Sequence, residues 1–195
     1  MLALTLKHPW PFAICYLGKQ VENRNWDEST ADLMHLPEAL GEAVAIHGGT
    51  APQRPKGGKH WSALAASNPW RQHCEDLQAV HRILGGELPD AAAQYLARTV
   101  TGPLIPEAFI LPGVVAVGVL QSVTRASRDR WAGQGQLHLL LADVVVLPER
   151  VACPGSRGFW DLPPVVEAEV RRQVEQVQAG RPARWGHLEG AAWLG

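Results

Sequence analysis

The chain has 195 residues, a formal net charge of −1 and a hydrophobic content of 46%. This length suffices for a substantial core, and we expect residues 1–195 to form a single domain. A nearly neutral chain argues against extended contact with a nucleic-acid backbone, which favours a strongly basic face, but it permits a local basic pocket for a short single strand or one nucleotide.

The cysteines and the apolar runs bear on location. Cys15, Cys74 and Cys153 lie far apart and form no Cys-x-x-Cys pair, which indicates reduced thiols and a cytoplasmic protein. The first ten residues lack the pattern of a signal peptide. The longest apolar runs, around 113–120 and 137–147, are too short to span a bilayer, so no membrane contact is expected.

The first elements follow from periodicity. Alternating apolar residues predict a half-buried strand over 2–7. A short helix follows, with Pro11 in its first turn, where proline is tolerated, and Gly18 at its end. The period-two pattern after Gly18 predicts a second strand on which Glu22 and Arg24 share one face.

The middle of the chain changes character. Residues 27–40 are polar and predict a loop, whereas 43–47 predict a buried strand that ends at a Gly-Gly turn. We interpret 51–108 as a helical insertion, because proline-rich and basic linkers alternate in it with two helical patterns. Those patterns predict helices over 69–84 and 90–100.

Strand character returns with two continuous apolar runs, 113–123 and 137–147, which are typical of central strands of a barrel. The polar residues between them are expected to be exposed apart from Trp131. Asp161 is predicted to cap a last helix, which ends at Gly180. Its buried stripe is predicted to consist of Val166, Val170, Val174 and Val177.

Residues 7–26, KHPWPFAICYLGKQVENRNW, contain the densest group of chemically useful side chains. The succession of Pro9-Trp10, a short apolar helix, Gly18-Lys19, Glu22, Arg24 and Trp26 resembles the signature of ASCH domains, a branch of the PUA-like superfamily. The chain departs from that signature at Leu17, where the family often has glycine. The Gly-Val-Val-Ala-Val-Gly-Val run and the Gly-x-x-Gly-x-Trp-x-Leu-Pro segment at 155–163 resemble later parts of the same pattern.

The resemblance covers about 1–50 and 110–178 and does not extend to the insertion. It implies an α+β fold, namely a PUA-like, compact, mixed and mostly antiparallel β-barrel flanked by helices. It also implies a cleft beside the first helix that is lined by Lys19, Glu22 and Arg24.

These three residues have two interpretations. A lysine and an arginine can hold a phosphate or a carbonyl oxygen, and a glutamate between them can accept from a base edge or act as a general base. Alternatively, they form a surface ion pair on an edge strand, with no function. The resemblance favours the ligand cleft.

Further candidates for ligand binding surround this group. Trp10, Trp26 and Trp160 either pack in the core or include one residue that stacks a base, and we favour Trp10 as the stacking residue. His47 ends a buried strand and either enters the cleft or is a satisfied core histidine. His8 adjoins Trp10, and Arg157 either contacts a phosphate or is a solvated loop residue.

The leading hypothesis is therefore the binding of RNA or of a nucleotide, including modified forms, and the alternative is a hydrolase that acts on a modified nucleoside or on RNA. Some ASCH-like proteins are amidohydrolases that use a lysine, a threonine and a glutamate, and others are linked to RNA cleavage. In this chain Lys19 and Glu22 would be the catalytic pair, but Glu22 stands where those amidohydrolases have the threonine.

Other classes find little support in the sequence. His60, His73, Cys74 and His81 fit no zinc-ligand spacing, and there is neither a Walker loop nor a dinucleotide fingerprint. We therefore expect no metal and no cofactor. The helix over 69–84 could dock a protein, but no protein partner is predicted.

Overall fold

The computed structural model describes residues 1–52, 68–102 and 104–180. One sheet contains six strands in the order β2-β5-β4-β3-β1-β6. Neighbouring strands are antiparallel except β1 and β3, which are parallel. The strands are β1 (Leu2–Leu6), β2 (Val21–Arg24), β3 (Ala43–Gly48), β4 (Gly113–Thr124), β5 (Leu137–Val151) and β6 (Phe159–Asp161).

Helices flank this sheet, so the prediction of an α+β fold with a mixed, mostly antiparallel sheet is confirmed. They are α1 (Trp10–Tyr16), α2 (Glu28–Leu33), α3 (Leu36–Ala39), α4 (Asn68–Leu84), α5 (Asp90–Thr99) and α6 (Pro164–Ala179). A turn of 3-10 helix spans Pro106–Phe109. None of the described helices is both long and apolar enough for a membrane span.

The sheet curls into a half-barrel, with β2 and β6 as its two edge strands. Contacts across the open side bring the edges together. Arg24 at the end of β2 donates to the carbonyl of Thr5 in β1, at 3.0 Å. The rings of Trp26 and Phe159, which belong to the two opposite edges, lie 6.2 Å apart. Side chains, and not a continuous ladder of hydrogen bonds, therefore connect the two edges.

Each face of the sheet buries its own core, as the alternation along β1 shows. Leu4 and Leu6 point into the larger core, where they pack with α1 and residues of α4 and α5. Ala3 points to the opposite face, which is covered by Val170 and Val174 of α6. Thr5 follows Ala3 by two positions, so it lies on the same face as Ala3 and beside the open side of the half-barrel.

Most predicted elements are confirmed, and two predictions are wrong. Residues 27–40, predicted as a loop, contain α2 and α3, because the Asp27 side chain accepts from Thr30 N at 2.8 Å and so caps α2. Asp161 belongs to β6 and does not cap α6, which begins after Pro163 without a side-chain cap. His60, the first part of the predicted insertion and the tail after Gly180 lie outside the described residues.

Candidate functional site

A cleft of about 1050 Å³ lies at the open side of the half-barrel. This volume is close to the upper end of the range for small-molecule sites, about 300–1,000 Å³. Its walls are the end of β1 with the start of α1 (residues 5–8 and Trp10), strand β2 with the residues after it (22–26), one face of α4, and the loop before β6 (156–158). Residues of four different elements thus face one space.

Lys19 lies behind the wall of this cleft and not on its surface. Its side chain is 1% exposed. The ammonium donates to Glu22 Oε2 at 2.8 Å and to the carbonyl of Val21, and it lies 5.5 Å from the ring centre of Trp10. Because Lys19 precedes β2, the predicted alternation does not apply to it, and its side chain reaches the carboxylate. Lys19 therefore holds Glu22 in place.

Glu22 joins Lys19 to Arg24. Its residue exposure is 5%, and its second oxygen, Oε1, lies 3.4 Å from Arg24 Nε. The predicted shared face of Glu22 and Arg24 is confirmed. The interpretation as a surface ion pair is wrong for the Lys19–Glu22 pair, since both side chains are buried although β2 is an edge strand.

Arg24 is held on three sides and is the cation of this network that lines the cleft. Nη2 donates to Thr5 O at 3.0 Å, Nε adjoins Glu22, and the guanidinium carbon lies 5.3 Å from the ring centre of Trp26. The side chain is 20% exposed, and Nη1 has no partner among the described residues. Nε is buried and lacks a well-aligned acceptor. One edge of a fixed guanidinium is thus available to a ligand.

Trp10 and Trp26, two of the candidate stacking residues, line the cleft and are partly exposed. Each also contacts a cation from the β2 network: Lys19 lies over Trp10, and Arg24 lies over Trp26. Trp26 additionally packs edge-on against Phe159. A base could stack on the ring surface that each tryptophan leaves exposed.

Arg157 is exposed on the loop before β6, and glycine fixes that loop. Gly158 has φ of +68°, and a Cβ at this position would lie 2.7 Å from Met34 Sδ. Phe159 N donates to Met34 O at 3.0 Å, which attaches the loop to the end of α2. The loop therefore holds the backbone of Arg157 at the mouth of the cleft.

Helix α4 supplies a wall that the sequence analysis did not assign to the site. Pro69, Gln72, His73 and Asp76 face the cleft, and their spacing of i, i+3, i+4 and i+7 places them on one helical face. Asp76 Oδ1 accepts from Gln72 Nε2 at 3.1 Å. Burial raises the pKa of Asp76, whereas the bond from Gln72 and the charges of His73 and Lys7 lower it. The polar stripe at helical spacing was the signal in the sequence.

His8 and His73 contribute ring surface but little spare hydrogen-bonding capacity. His8 Nε2 donates to Gly49 O at 2.8 Å, and Nδ1 accepts from Leu111 N at 3.3 Å, which defines a neutral tautomer. Burial, the largest cause, lowers the pKa of His8. His73 Nε2 donates to Pro106 O at 2.9 Å, while its buried Nδ1 has no partner in the part of the chain that the structure describes.

His47 does not line the cleft. It is 2% exposed, and it lies between Thr5 Oγ1 (3.2 Å from Nδ1) and Cys153 O (3.0 Å from Nε2). Trp160 Nε1 donates to the same threonine oxygen at 3.0 Å. A Cβ on Gly155 would lie 2.5 Å from His47 Cε1, so the backbone of the loop covers the ring. Burial lowers the pKa of His47. Its contacts are those of a satisfied core histidine.

The cleft is more positive than the chain as a whole. Lys7, Arg24 and Arg157 line it, against the carboxylates of Glu22 and Asp76. With Lys19 directly behind Glu22, the described residues at the cleft comprise four cations and two carboxylates and give a local net charge of +2, compared with −1 for the whole chain. This balance favours an anionic ligand.

In the described ranges, no group of three or more histidine, cysteine, aspartate or glutamate side chains could hold a metal ion. Comparison of the chain with models of protein families gave no match, and neither did comparison with curated proteins.

Proposed function

We propose that this protein binds a nucleotide or a short single strand of RNA in the cleft, with a phosphate on Arg24 and a base on Trp10. The observation that carries the proposal is the fixed guanidinium of Arg24, which has one unpaired edge in a cleft of positive charge. Because the contacts with Thr5, Glu22 and Trp26 already fix this side chain, a phosphate that binds to it need not order a flexible arginine.

Arg157 lies on the loop at the mouth of the cleft and can supply a second contact to the same phosphate. Trp10 lies next to Lys7 in the chain fold, since Trp10 N donates to Lys7 O at 3.0 Å. A nucleotide whose phosphate rests on Arg24 and Arg157 would extend its base towards Trp10, where stacking contributes about 1–3 kcal/mol.

The resemblance of residues 9–26 to the ASCH signature supports the same assignment. It implies a ligand cleft beside the first helix, and the cleft described above adjoins the start of α1.

Binding is favoured over hydrolysis because of the state of Lys19 and Glu22. Lys19 Nζ already contacts two oxygens and an aromatic ring, and it is removed from the cleft surface. Both Glu22 oxygens lie against cations, so neither oxygen is free to accept a proton from a bound water. The pair stabilises the wall of the cleft and is poorly arranged to activate water.

The test is equilibrium titration of AMP, CMP, GMP, UMP and fluorescein-labelled five-nucleotide RNAs with the wild type, Arg24→Gln and Arg157→Gln. We expect at least one ligand to bind the wild type and Arg24→Gln to weaken it about 10-fold or more, because a charge-assisted hydrogen bond contributes about 1.5–3 kcal/mol. The Arg157 side chain is exposed and has no partner among the described residues, so Arg157→Gln should have a smaller effect.

Arg82→Gln is the matched control, since Arg82 is an exposed arginine in the last turn of α4 that does not line the cleft. An equal loss in Arg82→Gln and Arg24→Gln would indicate a general charge effect and would contradict the proposed site. The absence of binding by every ligand to the wild type would refute the function itself.

A further inference from the structure

The two carboxylates of the cleft differ in what they can still bind. Glu22 is buried between Lys19 and Arg24. Asp76 is half-buried on α4, and its only hydrogen-bond donor among the described residues is the Gln72 amide, to Oδ1. A desolvated carboxylate with so few donors gains from a ligand that brings N–H groups.

Lys7 faces Asp76 from the β1 side of the cleft. Its charge lowers the pKa of Asp76, so the two groups are close enough to interact. Within the described part of the chain, however, no ion pair joins them, and Lys7 is exposed. Lys7, Asp76 and Trp10 all line the same cleft, which therefore presents a donor and an acceptor to one ligand beside an aromatic ring.

We propose that Asp76 and Lys7 read the Watson–Crick edge of guanine, so that the ligand of this cleft is a guanine nucleotide. Guanine presents two adjacent donors, N1–H and the 2-amino group, next to the acceptor O6. The two donors match a carboxylate, and O6 matches an ammonium. Adenine, cytosine and uracil each present at most one donor group beside an acceptor, so none of them satisfies both carboxylate oxygens. This inference rests on the proposed nucleotide-binding function.

Recognition of guanine by Asp76 can be tested with an Asp76 variant that is expected to prefer a different nucleotide. Titration calorimetry would compare GMP, IMP, AMP and XMP with the wild type, Asp76→Asn and Glu75→Gln. IMP lacks only the 2-amino group of GMP, so the wild type should bind GMP about 10-fold more tightly than IMP, the value of one hydrogen bond to a charged group. XMP carries a carbonyl at position 2, and this carbonyl would face the carboxylate of Asp76. XMP should therefore bind the wild type more weakly than GMP.

Asp76→Asn should reverse the order of GMP and XMP. The asparagine amide offers one acceptor for N1–H and one donor for the 2-carbonyl, so it matches xanthine and not guanine. A variant that misfolds cannot acquire a new preference, which separates recognition from stability. Glu75→Gln is the control, because Glu75 is the adjacent exposed carboxylate on α4, 3.9 Å from Arg71. It should retain the wild-type order.

The outcomes distinguish this inference from the function on which it rests. Equal wild-type affinity for GMP, IMP and AMP would overturn guanine recognition and leave nucleotide binding intact. A preference for GMP that survives Asp76→Asn, or that is lost equally in Glu75→Gln, would overturn the role of Asp76. No binding of any of these four purine nucleotides to the wild type would also overturn guanine recognition, and the titrations with CMP, UMP and the RNAs would then decide the proposed function.

Discussion

Replacement of Glu22 by glutamine tests whether a buried ion-pair network builds the cleft wall. The substitution preserves shape but removes the carboxylate charge that faces the ammonium of Lys19, which is 1% exposed. Loss of one partner from a buried ion pair costs about 3–5 kcal/mol, compared with about 0–1 kcal/mol for a surface pair. The carbonyl of Val21 and the ring of Trp10 remain as partners of Lys19, so we expect a value near the lower end, about 3 kcal/mol.

Urea-induced unfolding followed by circular dichroism would measure this cost as a fall in the free energy of unfolding at unchanged m-value. The double variant Lys19→Met/Glu22→Gln removes both charges, and it should be clearly less destabilised than the sum of the two single variants. A loss of less than about 1 kcal/mol of unfolding free energy in Glu22→Gln would contradict a buried ion pair, because a loss of that size is typical of a solvent-exposed pair.

Two further predictions concern titration and reactivity. Burial lowers the pKa of His8 below its ordinary 6.5. As the pH falls below about 6.5, the unfolded chain therefore takes up a proton that the folded chain does not, and the free energy of unfolding decreases. Thermal unfolding from pH 8 to 5 should show this decrease, and His8→Gln should make the dependence on pH shallower, whereas an unchanged slope would contradict the role of His8. Burial raises the pKa of Cys15 to about 12 and raises the pKa of Cys74 and of Cys153 to a smaller extent. Iodoacetamide at pH 8 should therefore modify Cys74 and Cys153 before Cys15, as peptide mapping would show, and equally fast modification of Cys15 would contradict this order of reactivity.

Much of the sheet could be predicted because its strands follow simple hydrophobic patterns. The apolar run that begins at Gly113 became β4, and the alternation of Leu2, Leu4 and Leu6 became β1. The short helices α2 and α3 were missed, because elements of six and four residues have too few turns to establish a period. β6 was also missed, since three residues show no alternation.

The residues of the candidate site likewise fall into those whose position local periodicity predicts and those whose position it does not. Glu22 and Arg24 were assigned to one face from local periodicity, and the structure places them there. That Lys19 is buried and that His47 is held between Thr5 and Cys153 depend on contacts from distant segments, which spacing cannot reveal.

Helix α4 is the clearest such case. It lies in the segment predicted as an insertion, yet Asp76 and its neighbours form one wall of the cleft. The sequence showed the stripe of polar residues on this helix but not what the stripe faces. Only the tertiary packing places this stripe of polar residues in the cleft, together with the end of β1.

The most direct test of the proposed site is a crystal structure of the protein with GMP. We expect a phosphate within hydrogen-bond distance of Arg24 Nη1 and a base that lies on Trp10 within the cleft. A nucleotide bound elsewhere on the protein, or a cleft that stays empty at millimolar GMP, would contradict the proposed site.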